Sequence, residues 1–157
     1  MSDRAAVEAF IYREARLMDE LDYDAWFALW DKDGVYHVPV DQHASPGRRQ
    51  VSIINDDYVR LEQRIDRLKT GSVLALDGQS GAMRRVVSNV EILRQDKDQI
   101  EAGSNFILGI ARTAEQQLWI GRSLHLLRPD GDDFRIARKT VLLINSAREI
   151  PLLQFLI

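Results

Sequence analysis

The chain has 157 residues, of which 45% are apolar, and its formal net charge at pH 7 is −3. This length fits one domain, residues 1–157, that buries roughly 70% of the surface of its unfolded chain, and the small charge gives no reason to expect a nucleic-acid or anionic-membrane partner. The absence of cysteine excludes disulfides, thiolate nucleophiles, cysteine-bound zinc and iron–sulfur clusters from this polypeptide.

The N-terminal segment gives no indication of export. It reads MSDRAAVEAF, which is charged from the start and contains no apolar core of a signal peptide. No run in the chain approaches the roughly 18 apolar residues of a membrane span. We therefore expect a cytoplasmic protein.

The first 30 residues predict two helices. In the first helix, apolar side chains recur at spacings of three and four, which is typical of one buried helix face. These residues are Val7, Phe10, Ile11, Ala15, Met18 and Leu21. Ser2 is the expected N-cap of this helix, and Asp22 is the expected cap of a second, short helix in LDYDAWFALW.

The second helix places Trp26, Leu29 and Trp30 on one face, and the rings of Trp26, Phe27 and Trp30 are expected in the core. The DKDG that follows predicts the end of the helix, with Gly34 in a left-handed turn. VYHVPV is the first predicted strand, and Pro39 favours an edge position or a place near the strand end. Residues 41–50 predict a loop.

A third helix is predicted over residues 57–69. Tyr58, Leu61, Ile65 and Leu68 share one face. Asp56 or Asp57 can cap its start, and Gly71 is expected to end it. A second loop is predicted in LDGQSG.

From Arg84 onward the apolar period changes from 3.6 to 2, which predicts strands. The four strands are RRVVSNVEIL, QIEAGSNFILGIAR, QLWIGRSLHLLR and FRIARKTVLLIN. Their connections are short and polar, and the last contains Asp-Gly, so consecutive strands should pair antiparallel. The order of elements predicts an α+β domain in which N-terminal helices pack on a curved antiparallel sheet.

Several segments together resemble one family. FIYREARLMDELDYDAWFALWDKDGVYHVPV, INDDYVRLEQRIDRLKTG, RRVVSNVEI and FRIARKTVLLINSAREIPLLQFLI follow in the order and at the spacing seen in the β (small) subunits of aromatic-ring-hydroxylating, Rieske-type dioxygenases. The resemblance covers residues from about 10 to the C-terminus.

The resemblance implies a cone-shaped NTF2-like (cystatin-like, SnoaL-like) fold. It also implies a non-catalytic structural role beside a larger α subunit, as a homotrimer within an α3β3 hexamer. The Rieske [2Fe–2S] cluster and the mononuclear iron would then lie on the α subunit, with no cofactor in this chain. The absence of cysteine agrees, because a Rieske centre needs two cysteines and two histidines.

The alternative is a stand-alone dehydratase or isomerase of the same fold, which would use polar side chains inside the cone for proton transfer. Candidates for such a set are Tyr12, Asp19, Asp24, Tyr36, His37 and His125. Period two puts His125 on the strand face of Trp119, Ser123 and Leu127. The ordinary interpretation of His125 is a hydrogen-bonded core or interface histidine.

Two further features have competing interpretations. The three histidines, His37, His43 and His125, show no spacing typical of a metal site, so we expect no metal ligands. Arg84 and Arg85 are expected at a solvated strand start, or else at an acidic partner surface. The apolar ending LLQFLI either folds back on its own sheet or is covered by a neighbouring subunit, and oligomerisation in the resembled family favours an interface.

Overall fold

The computed structural model describes residues 3–41, 51–74, 82–111, 115–144 and 155–157. Three helices and six strands lie in this part of the chain. They are α1 (Asp3–Asp19), α2 (Tyr23–Phe27), β1 (Trp30–Pro39), β2 (Ser52–Asp56), α3 (Tyr58–Leu74), β3 (Met83–Gln95), β4 (Ile100–Ala111), β5 (Gln116–Asp130) and β6 (Asp133–Leu143). Among the described helices, none has the length and apolarity needed to cross a membrane.

All six strands form one curved sheet in the order β2-β1-β6-β5-β4-β3. The predicted antiparallel pairing of β3 to β6 is confirmed. Gly131, with φ of +64°, lies in the predicted Asp-Gly turn between β5 and β6. β1 pairs antiparallel with β2 and parallel with β6, so the sheet is mainly antiparallel.

The helices cover one face of the sheet. α1 packs against β3 and β6, and α3 packs against β1 and β2. The inward face of β4 is the one predicted from period two, since every member of that set is buried: Ile100, Ala102, Ser104, Phe106, Leu108 and Ile110. The predicted α+β class is therefore confirmed.

An aromatic cluster joins α2 to β1. Trp26, Trp30 and Tyr36 are all buried, and their ring centroids lie 5.3 to 5.8 Å apart in edge-to-face pairs. Pairs of this kind contribute about 0.5–1.5 kcal/mol each beyond the area that they bury. The expected core position of these tryptophans is confirmed.

The helix ends differ in part from the predictions. α1 ends at Asp19, so Leu21 is not on its apolar stripe but is partly exposed at a φ of 57°. Asp22 and Asp57 are confirmed as caps, because they accept from Ala25 N–H and Arg60 N–H. α3 continues beyond Gly71, which was expected to end it. Ser2, residues 42–50 and residues 76–81, which carry predicted cap and loop positions, lie outside the described residues.

The strand β2 was not predicted. Its buried positions are Ile54 and Asp56, and an inward-facing carboxylate interrupts the apolar alternation that identifies a strand. Asp56 is held there by Arg64, with 2.5 Å between Arg64 Nε and Asp56 Oδ2.

The predicted turn at Gly34 is wrong. Trp30 already begins β1, the DKDG segment lies inside that strand, and Gly34 has no positive φ. The strand is irregular there, since its register with β6 shifts between Trp30 and Val35. Glycine is needed for space: a Cβ at position 34 would lie 2.9 Å from Asp31 O and from Trp30 Cε3.

Gly34→Ala should therefore lower the free energy of unfolding by about 1–3 kcal/mol, the usual cost of overpacking a filled site. The measurement is urea unfolding at neutral pH. Gly109→Ala is the matched control, because a Cβ there would meet no atom closer than 3.8 Å. Equal stability losses in the two variants would contradict the close-approach explanation.

Candidate functional site

A buried carboxylate lies at the centre of the helix–sheet interface. Glu14, on α1, is 1% exposed. Its Oε2 lies 2.8 Å from His125 Nε2, and its Oε1 accepts hydrogen bonds from Lys139 Nζ at 2.7 Å and from Trp26 Nε1 at 3.1 Å. We call these four side chains the Glu14 cluster. The cluster connects α1 to α2, β5 and β6.

The positions of these residues follow from their elements. Glu14 comes four residues after Phe10 and three after Ile11, which are both buried on the same helix face. His125 and Lys139 are directly paired residues of β5 and β6. Both occupy inward positions of their strands, so the two side chains meet Glu14 from the sheet side.

The charges in the cluster compensate one another. Burial alone would raise the pKa of Glu14, but Lys139 and His125, through charge and hydrogen bonds, lower that pKa to well below its ordinary range. Burial lowers the pKa of Lys139, and Glu14 opposes this shift. Because the pKa of Glu14 is lower in the folded state, its ionised form contributes stability at neutral pH that is lost as the pH falls through the acid range.

The hydrogen-bond partner of His125 shows which of its ring nitrogens carries a hydrogen atom. An ionised carboxylate can only accept, so the Nε2 of His125 carries a hydrogen atom. The other ring nitrogen, Nδ1, is buried and has no hydrogen-bond partner in the described part of the chain.

A small cavity adjoins the cluster. Its volume is about 10 Å³, and its walls include Met18, Phe106, Ser104 and Ser123 beside the charged groups. That volume is about enough for one water molecule, whereas pockets for small molecules usually measure about 300–1,000 Å³. The cavity as it stands has no room for an organic substrate.

A second buried ion pair lies beside this cavity. Arg85 Nε is 2.7 Å from Asp19 Oδ1, and the Arg85 backbone N–H donates to Asp19 Oδ2 at 3.0 Å. Both side chains are less than 5% exposed. Of the predicted basic pair, only Arg84 is exposed, and the expectation of a solvated Arg85 is wrong.

The last three residues of the chain are inserted into the same interior. Phe155, Leu156 and Ile157 are each 5% exposed or less. The Tyr36 hydroxyl donates to Ile157 O at 2.6 Å, and Arg85 Nη2 donates to Leu156 O at 3.0 Å. These three residues therefore belong to the core of their own subunit, and for them the interface interpretation is wrong. Residues 152–154 lie outside the described part.

Three of the sequence candidates lie in this interior. Asp19 is paired with Arg85, Tyr36 contacts Ile157, and His125 contacts Glu14. Burial raises the pKa of Tyr36 far above its ordinary value. His125 shares its buried strand face with Trp119, Ser123 and Leu127, as period two predicts.

The other candidates lie elsewhere. Tyr12 is exposed on α1, and Asp24 is exposed on α2, where it pairs with Lys69. His37 lies between the buried residues of β1, on the opposite face of the sheet, with its Nε2 2.9 Å from Ser52 Oγ. His43 is outside the described residues. The six candidates therefore do not form one constellation.

Sequence reasoning missed Glu14 and Lys139. Each had a usable signal: Glu14 lies on the apolar stripe of α1, and Lys139 alternates with the buried residues Ala137 and Val141 on β6. A charged residue at a buried position of the period is rarely tolerated without a partner, and this is what could have identified both. Within the described ranges, no three histidine, aspartate or glutamate side chains converge in a way that could hold a metal ion.

Replacing Glu14 by glutamine tests the charge compensation. Glu14→Gln leaves the Lys139 ammonium buried without its counter-charge, so the free energy of unfolding should fall by about 3–5 kcal/mol. The measurement is urea unfolding at pH 7. Glu8→Gln, which breaks an exposed pair with Arg4, is the control and should cost less than about 1 kcal/mol.

The Glu14→Gln variant should also change how the free energy of unfolding depends on pH. Without Glu14, the pKa of Lys139 should lie further below its unfolded value, so the unfolded chain binds the proton more tightly. The stability of Glu14→Gln should then rise with pH between about pH 7 and pH 10, more steeply than that of the unmodified chain. Parallel pH profiles would contradict the account.

The amino-acid sequence is similar to those of proteins in one family. Residues 13–149 match the family model described as "Ring hydroxylating beta subunit". The chain is 31% identical to the anthranilate 1,2-dioxygenase small subunit of Acinetobacter baylyi, over 90% of this chain and 89% of that protein. It is 32% identical to the 2-halobenzoate 1,2-dioxygenase small subunit of Burkholderia cepacia, over 89% and 87%.

Solved structures agree with this relation. The β subunit of benzoate 1,2-dioxygenase from Burkholderia mallei superposes with a TM-score of 0.81, at 27% identity and 97% coverage of both chains. An NTF2-like protein with a cystatin-like fold from Novosphingobium aromaticivorans superposes with a TM-score of 0.62, at 19% identity and 91% and 82% coverage. This likeness confirms the predicted fold. The chain belongs to the ring-hydroxylating dioxygenase β-subunit family.

Proposed function

We propose that this chain is the structural, non-catalytic β subunit of a multicomponent aromatic-ring-hydroxylating dioxygenase. In this role it would assemble with a larger, iron-bearing α subunit and keep the α subunits in register. The observation that carries the proposal is the filled interior. The space between helices and sheet is occupied by the Glu14 cluster and by Phe155–Ile157, and the cavity left there is about 10 Å³.

The cofactor chemistry supports the same assignment. A Rieske cluster needs two cysteine and two histidine ligands, and the sequence has no cysteine. The residues of this chain therefore do not fit the cluster. We assign both the cluster and the mononuclear iron to the α subunit.

The substrate of the whole enzyme is proposed to be an aromatic carboxylic acid. Three of the similar proteins, at 27% to 32% identity, are named for anthranilate, 2-halobenzoate and benzoate, and each of these molecules is an aromatic ring that carries a carboxylate. Relatives named for benzene and biphenyl, which carry no carboxylate, are 26% to 28% identical.

The alternative, a stand-alone dehydratase or isomerase, has less support. His125 and Tyr36 are engaged by Glu14 and Ile157, and a substrate would first have to displace one of these buried groups.

The outer face of the sheet offers a surface for assembly. Val86 pairs with Ile107, Ile107 pairs with Ile120, and the Ile144 N–H donates to Ile120 O at 3.1 Å. We call these four residues the outer row. They are 36% to 64% exposed, and Leu118, beside Ile120 on the same strand face, is 62% exposed.

The outer row is proposed to contact a second copy of this chain, within the trimer of an α3β3 hexamer. With Leu118 it forms a contiguous group of exposed apolar side chains, and such groups on a protein surface often mark interaction sites. A standard interface buries about 800 Å² per partner, of which a little more than half is apolar. The adjoining polar residues carry both signs of charge, for example Arg122 and Glu91, so two copies can meet without repulsion between like charges.

The test is the double variant Ile107→Asp and Leu118→Asp, co-expressed with the α subunit. Buried carboxylates without partners should weaken assembly by at least about a hundredfold, or 2.7 kcal/mol, while the melting temperature of the separated chain changes little. Val59→Asp is the matched control, because Val59 is a 59% exposed valine on α3, away from the outer row.

Native mass spectrometry and iron analysis of the separated subunits are the measurements. An intact hexamer in the double variant would contradict the assembly surface. Loss of the α subunit alone, with the β trimer intact, would contradict the self-contact. Stoichiometric iron on the isolated β chain would contradict the non-catalytic role.

A further inference from the structure

We propose that the space holding Phe155, Leu156 and Ile157 is a peptide-binding site, and that it would bind the same apolar segment supplied as a separate peptide. Three side chains contact these residues, and we call them the slot: Tyr36, Arg85 and Trp119. This inference does not depend on the enzyme to which the subunit belongs.

The slot recognises the main chain of the segment. The Tyr36 hydroxyl donates to Ile157 O at 2.6 Å and accepts from Ile157 N–H at 3.0 Å, and Arg85 Nη2 donates to Leu156 O at 3.0 Å. Residues 155–157 form no strand of the sheet. Side chains thus satisfy the backbone groups of the segment, as in the recognition of a bound peptide.

The side chains of the segment are also buried at the slot. Leu156 and Ile157 are each 1% exposed. Phe155 is buried with its ring edge-to-face on Trp119, at 5.5 Å between centroids. The ligand class that fits is therefore a short peptide with an aromatic residue followed by two aliphatic residues.

The slot is held in place by contacts that do not involve the segment. Asp19 fixes both the guanidinium and the backbone N–H of Arg85. Tyr36 packs edge-to-face against Trp26 and Trp30, at 5.8 Å between centroids in both pairs. A site whose groups are positioned in advance loses little conformational entropy on binding, so the empty slot should keep its affinity for the segment.

The experiment uses a chain that ends at Gln154 and a fluorescein-labelled peptide of sequence PLLQFLI. Fluorescence anisotropy should show saturable binding of one peptide per chain. The full-length chain should bind at least about tenfold more weakly, because its slot is already occupied at high effective concentration. A peptide in which the phenylalanine and the following leucine are replaced by serine is the ligand control.

Variants of the slot supply the specificity test. Tyr36→Phe in the truncated chain removes the hydroxyl that makes two of the three polar contacts, and should weaken binding by about tenfold. Tyr12→Phe changes an exposed tyrosine on α1 and should leave binding unchanged. Equal binding to both variants and to the control peptide would overturn the proposal, and so would no saturable binding by a truncated chain with a native circular dichroism spectrum.

A second measurement covers the case in which the truncated chain does not fold. Full-length Phe155→Ser/Leu156→Ser keeps the chain length but weakens the bound segment. Excess PLLQFLI should raise the melting temperature of this variant and leave that of the unmodified chain unchanged, because only the variant has an available slot. No rise in the variant would overturn the proposal.

Discussion

The compensation of the Glu14 charge is the constraint on which the rest of the structure depends. An ionised carboxylate removed from water is tolerated only with partners, and Glu14 finds them on three elements, as His125, Lys139 and Trp26. Each donor can reach it only if α1 crosses the sheet above β5 and β6 with α2 alongside. As long as the Glu14 charge is present, it therefore ties α1 to α2, β5 and β6, because the loss of any one partner would leave a buried charge uncompensated.

The same arrangement decides what the interior can do. Polar groups that could bind a ligand instead bind one another or the final residues of the chain, through Arg85 and Tyr36. In the described part of the chain, exposed apolar side chains lie on the opposite side of the sheet, at Val86, Ile107 and Leu118. A filled interior and an outer sheet face with exposed apolar side chains are expected of a subunit whose role is assembly.

The sequence allowed the helical and antiparallel parts to be predicted, because β4 alternates strictly and short polar links leave few topologies. It did not reveal β2, since Asp56 interrupts the alternation. It also did not reveal the irregular part of β1 at Gly34, since the backbone there folds close to Asp31 O and the Trp30 ring, and local sequence does not encode that approach. Glu14 and Lys139 were missed because each interrupts an apolar pattern, and because the two residues that pair with each other are more than 100 positions apart in the chain. The hydrophobicity of Phe155–Ile157 predicted burial but could not identify the surface that covers them.

The central claim is that the buried charges are structural and take no part in catalysis. It is tested most directly by the triple variant Glu14→Met, His125→Leu and Lys139→Met, reconstituted with the α subunit, with turnover measured beside native mass. Apolar residues of similar volume often replace a buried ion cluster without loss of stability. The account predicts an intact assembly whose turnover is within about tenfold of the unmodified enzyme, or roughly 1.4 kcal/mol of barrier. An intact assembly without turnover would contradict it.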